Sequence, residues 1–101
     1  MPKVAYEPIS AKDALKKIRD LCSIMVDLAY SSIIFEDKDL ADQVKELRDL
    51  VVYYDYLLTM SLQVAVRDGR DAQATLPLVV LGQASEDIAN FATDISNVLL
   101  K

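Results

Sequence analysis

The sequence predicts an all-α fold, an antiparallel three-helix bundle. Three observations carry that expectation. Apolar residues recur at alternating spacings of three and four through nearly the whole chain, the period of one helix face. Only two Gly and three Pro are available for turns in 101 residues, too few for a β-rich fold. The breaks in the periodic pattern fall near residues 36–39 and 67–71, which divides the chain into three segments of similar length. Long helices joined by short loops must run antiparallel to their neighbours. The length fits one domain spanning residues 1–101.

Residues 1–9 hold two Pro and no periodicity, and are expected to form an extended arm that Tyr6 tacks onto the bundle. Ser10 begins the first helix, expected over residues 11–35: its hydroxyl can accept from an exposed N–H, and Asp13 complements the positive helix end. Leu15, Ile18, Cys22, Met25, Ala29 and Ser32 form its seam. Leu21, Ile24, Leu28 and Phe35 widen it, so the second half is expected to be buried on more than one side. Asp27 interrupts that stretch. It is either a solvated acid or a buried carboxylate of raised pKa.

The acidic run Glu36-Asp37-Lys38-Asp39 marks the first turn, with an Asp capping the next helix. That helix is expected over residues 39–67, with a seam of Val44, Leu47, Val51, Tyr54, Leu58, Ser61 and Ala65. Asp42 and Glu46 form an acid pair one turn apart, which reads as solvated. The cluster Tyr53-Tyr54-Asp55-Tyr56 spreads aromatics around the helix, so at least one Tyr is expected to face outward, either as a partner surface or as an ordinary bundle edge. Gly69 supplies a left-handed helix end, and Asp71 a cap for the last helix.

The third helix is expected over residues 71–100. Pro77 predicts a kink or break near 73–77, or a fresh start capped by Thr75. The run Leu76 to Leu81 reads as too apolar to be exposed. Leu81, Ser85, Ile88, Ala92, Ile95 and Leu99 form one stripe expected to close the bundle. Gln83, Asp87, Asn90, Asp94 and Asn97 lie opposite, with Glu86, Asn90 and Asp94 stacked at successive turns. No stop signal beyond Lys101 ends the helix, as expected of a polypeptide that continues.

Composition narrows the function. A net charge of −5 and the lack of a basic stripe argue against nucleic-acid binding. One Cys and no His leave no disulfide framework and no Cys/His zinc site, so any metal would sit on oxygen ligands. A single unpaired Cys22 fits a reducing cytoplasm. The start lacks the apolar segment of a signal peptide, and Asp27, Asp55, Gln63 and Gln83 interrupt every long apolar run, so no membrane insertion is expected. Without His there is no ordinary nucleophilic triad, and the isolated Gly residues make no phosphate loop. Small helical enzymes of the chorismate mutase or MazG type need inward basic clusters or grouped acids that this pattern lacks. A catalytic role is therefore not expected.

The segments VAYEPISAKDALKKIRDLCSIMVDLAYSSIIFEDKDLADQV and LGQASEDIANFATDIS resemble the PhoU-like helical domain. The closer likeness is to the archaeal branch that precedes a TrkA-C (RCK-C) ligand-binding domain in potassium-transport regulators. The resemblance runs from about Tyr6 to Leu99. It implies a non-enzymatic regulator of membrane ion transport, cytoplasmic or peripheral to a transporter. It implies a homodimer, because one three-helix unit is half of a tandem PhoU protein, and a TrkA-C-type domain or a membrane transporter as partner. It also implies a divalent or transition metal ion held by E(D)xxxD motifs. Glu86, Asn90 and Asp94 are the imperfect copy here, Asn90 standing where an acid is expected. The alternative within the family is a metal-binding regulator of phosphate uptake and signalling.

Overall fold

The computed structural model describes residues 10–69 and 72–100. It contains three helices, α1 (Ala11–Phe35), α2 (Lys38–Arg67) and α3 (Ala72–Leu100), each packed on the other two. No strand occurs among the described residues. The expected arm at residues 1–9, with Tyr6, and the expected cap at Asp71 lie outside them.

Local chemistry sets the ends. The Ser10 hydroxyl accepts from the Asp13 N–H at 3.1 Å and starts α1. Glu36 ends it in the left-handed region, φ 51°, with its N–H donated to the Ile33 carbonyl. Asp37 then accepts from the N–H groups of Asp39 and Leu40 at 2.9 and 3.3 Å, so α2 begins shortly after α1 ends. So short a turn forces α1 and α2 antiparallel. Gly69, φ 95°, closes the far end of α2 as its residue type predicts. Asp55 lies against Gly82 and Arg48 against Asn90, so α3 runs antiparallel to α2 and parallel to α1. Pro77 is carried inside α3, which continues from Ala72 through it; Thr75 does not cap a separate helix.

The core runs along the shared axis. In α1 it is Ala14, Ile18, Cys22, Met25, Ala29 and Ser32, the expected seam with Ala14 in place of half-buried Leu15. In α2 it is Val44, Val51, Leu58 and Leu62, with Leu47 and Tyr54 half-buried beside them; Ala41 and Leu57 are buried outside this cluster. In α3 the expected stripe is met in part: its Ala92 is fully buried and Ile95 packs against the core, but the inward face is turned toward the residues that follow Leu81 and Ile88. Gly82, Ala89, Ala92, Thr93 and Ser96 face inward, whereas Leu81 and Ile88 are about half exposed. One residue is about 100° of rotation. The inward side chains are small, and this allows close approach: a Cβ at Gly82 would run into the Asp55 carboxylate and stand 3.1 Å from Leu58. Thr93 satisfies its buried hydroxyl by donating to the Ala89 carbonyl at 2.8 Å.

Two burial expectations are corrected. The second half of α1 is covered on one side only; Ile24, Tyr30, Ile33, Ile34 and Phe35 are exposed. The run Leu76 to Leu81 is exposed except for half-buried Leu78. The reason is geometric. In a bundle of three helices each one meets only two neighbours, and no fourth element among the described residues covers an apolar back.

Met25 is fully buried, and Met25→Ala is expected to cost about 2–5 kcal/mol of stability. The Ser96 hydroxyl is buried and has no partner among the described residues. Ser96→Ala should therefore be neutral or raise stability by about 1 kcal/mol. Urea denaturation of both variants checks the pair.

Candidate functional site

Two features stand out on the described surface: a carboxyl pair between α2 and α3, and an apolar groove between α1 and α3.

The pair is Asp55 and Glu86. Asp55 falls in line with buried Val51, Leu58 and Leu62, so its backbone position aims it inward. It stays half-buried beside Gly82, the one place on α3 without a side chain to exclude it. Glu86, one turn on from Gly82, reaches the same spot and hydrogen-bonds the Asp55 side chain. A carboxyl that hydrogen-bonds another carboxyl must keep its proton to donate. That bond is the main reason the Glu86 pKa is raised to about 7; burial and the charges of Asp55 and Asp87 add to it, and Arg48 opposes it. Arg48 lies alongside and donates from Nε to the Asn90 Oδ1 at 2.7 Å, with its other contact to Asp49 at 3.8 Å.

The candidate metal residues Glu86, Asn90 and Asp94 share one side of α3, as their spacing requires, but they do not act together. Glu86 turns to Asp55, Asn90 to Arg48, and Asp94 is exposed. The arrangement does not fit a metal ion, since the carbonyl oxygen that would ligate it is bonded to a guanidinium. No group of three acids or thiols with ligand geometry occurs among the described residues. Asp42 and Glu46 are exposed, as read from their pattern. Asp27 is exposed too, at the rim of the groove, so the solvated reading holds for it. Sequence reasoning overlooks Asp55 as a site residue. Its signal is an acid at a three-four position between Val51 and Leu58 with a Gly available on the facing helix.

The groove encloses about 760 Å³. Its floor is Leu15, Cys22 and Val26 from α1 with Leu81 and Ile88 from α3, and Lys12, Lys16 and Arg19 stand along its opening half. Cys22 is buried in that floor and donates to the Ser85 carbonyl at 3.4 Å. Burial raises its pKa and keeps the thiol protonated, so it serves packing rather than nucleophilic chemistry. Apolar floors of this size bind apolar ligands or helices, and a cationic border selects for anionic ones. On the far side of the bundle, the back of α2 presents Leu50, Tyr53, Met60 and Val64 around buried Leu57, again at three-four spacing. Tyr53 and Tyr56 are the outward tyrosines expected of the aromatic cluster.

No protein-family model matches this chain, and no curated protein matches it. No helix among the described residues is long and apolar enough to cross a membrane.

The carboxyl pair makes stability depend on pH. Glu86 holds its proton to about pH 7 in the folded chain but loses it near 4.5 when unfolded. Between those values the folded state binds the extra proton, so the contribution is complete below pH 4.5 and lost as pH rises through 7. After discounting for solvent screening the loss is about 1 kcal/mol. Glu86→Gln should remove this slope between about pH 4.5 and 7; denaturation at both values measures it, and equal slopes in the two proteins would refute the pair. Gly82→Ala should displace Asp55 and return the Glu86 titration toward the ordinary carboxylate range, read by carboxyl NMR.

Proposed function

We propose that this chain is a non-enzymatic interaction module of PhoU-like type, which self-associates and couples through its helix surfaces to membrane ion transport. The family reading rests on the two sequence segments that resemble that domain. The single structural observation that supports an interaction role is the pair of apolar surfaces on opposite sides of the bundle. One is the α1–α3 groove and the other is the back of α2. A bundle this small has no need of exposed Leu50, Tyr53, Met60 and Val64 for its own core, and contiguous apolar surface of this kind marks contact sites. Two faces allow a copy of the chain on one and a transport component on the other. By the resemblance, that component is a TrkA-C-type domain or a transporter for potassium, met from the cytoplasmic side.

Deleting the gene tests this reading. Tracer uptake of rubidium, a potassium substitute, should change, and phosphate uptake should not. A double substitution on the back of α2, Tyr53→Asp with Met60→Asp, should reproduce the deletion while the purified variant keeps its helicity. A change in phosphate uptake alone would transfer the module to phosphate signalling. No change in either would overturn the proposal.

A further inference from the structure

The groove between α1 and α3 is hollow in the middle. Cys22 meets Ser85, and the two helices run the same way, so Leu15 and Leu81 stand at one end of the lining and Val26 and Ile88 at the other. The low part between them is made by the smaller Cys22, Ser23 and Ser85. The two residues that meet there have spent their polar hydrogens. The Cys22 thiol donates to the Ser85 carbonyl at 3.4 Å, and the Ser85 hydroxyl to the Leu81 carbonyl at 2.8 Å. What lies over them gains most from being hydrocarbon. The volume of about 760 Å³ falls within the range of small-molecule sites, about 300–1,000 Å³. The charges along the groove come from α1 and differ in kind. Lys12 and Lys16, one turn apart at the Leu15 end, are exposed and form no ion pair among the described residues. Arg19 is engaged by Asp20 at 3.2 Å. Asp27 lies about 16 Å beyond Lys16 along the helix. Uncommitted positive charge therefore stands at one end, where the α1 N-terminus adds its own partial charge, and an acid stands at the other.

We infer that this groove binds a long-chain fatty acid, its carboxylate between the Lys12 and Lys16 ammonium groups and its tail laid over Cys22 and Ser85 toward Ile88. Two ammonium groups on adjacent turns give one anionic head two charge-assisted partners. Asp27 repels that head from the far end, which sets the direction of the chain. From midway between the lysines to Val26 is about 18 Å along the helix, the reach of extended tetradecanoate. A fatty acid asks for charge at one end and hydrocarbon everywhere else, which is the pattern of this groove. A peptide helix would need a base against Asp27 as well as acids against the lysines, and a neutral lipid would leave both lysines unused. The site goes beyond the transport reading and does not depend on it, because a filled groove leaves the back of α2 open to contact.

Isothermal titration of the purified chain with tetradecanoate, below its micelle concentration, should show a single site of micromolar affinity. Octanoate, which leaves much of the floor bare, should bind at least about 10-fold more weakly. Tetradecyltrimethylammonium, with the same tail and the opposite charge, should also be at least about 10-fold weaker. Lys12→Gln combined with Lys16→Gln should weaken tetradecanoate at least about 10-fold without weakening the cation. Both positions are exposed, so circular dichroism should be unchanged. Ser23→Phe, built from the exposed rim into the hollow, should abolish binding of tetradecanoate with helicity kept. Absence of tetradecanoate binding to about 100 µM would overturn the site, as would equal affinity for the cation or indifference to the lysine pair. Sedimentation of Ser23→Phe separates the remaining occupant: a changed mass in a chain that takes up no fatty acid would assign the groove to a protein contact and overturn the inference.

Discussion

The close approach of α3 to its two neighbours is the constraint on which the rest of the structure depends. It is made by small residues, Gly82, Ala89, Ala92, Thr93 and Ser96, facing α1 and α2. Opposite them the larger Ile18, Met25, Val44, Val51 and Leu58 fill the axis. Each of these fully buried side chains contributes about 1.5–3 kcal/mol on leaving water. Small against large is the packing that lets three helices share one narrow core. Its cost is that the large apolar residues of α3 are turned away from that core.

Two consequences follow from the same rotation of α3. Gly82 meets α2 at Asp55, and an acid that points inward finds room because the facing residue has no side chain. Glu86, a turn further on, completes a carboxyl pair between α2 and α3, beside the Arg48–Asn90 hydrogen bond. On the other flank, Leu81 and Ile88 roof the edge of a groove in place of filling the centre. A half-buried carboxyl pair and an exposed apolar seam, which look unrelated in the sequence, are the two sides of one helix orientation.

The outward apolar residues give the molecule its character. Core, groove and α2 back are all apolar, yet among the described residues only the first is covered. The charged border of the α1–α3 groove and the tyrosines of α2 distinguish the two surfaces chemically. The back of α2 carries exposed aromatic side chains of the kind enriched at protein contacts.

Much of this was legible in the residues. The three helices and their ends followed from local chemistry: Ser10 and an Asp of the first turn as caps, Gly69 as a left-handed stop, and three-four seams that placed Ile18, Met25, Val51 and Leu58 in the core. Such signals act within a few residues of the chain, so sequence alone determined them. It did not determine which flank of α3 faces inward, because helical periodicity predicts a stripe but weights large apolar residues over Gly and Ala. The choice of the Gly82–Ala89–Ser96 line depends on what α1 and α2 present across the gap, and that is known only once the helices meet. For the same reason Glu86, Asn90 and Asp94 read as one ligand set in sequence. Tertiary structure separated them, because Asp55 and Arg48 on α2 each claimed one of them.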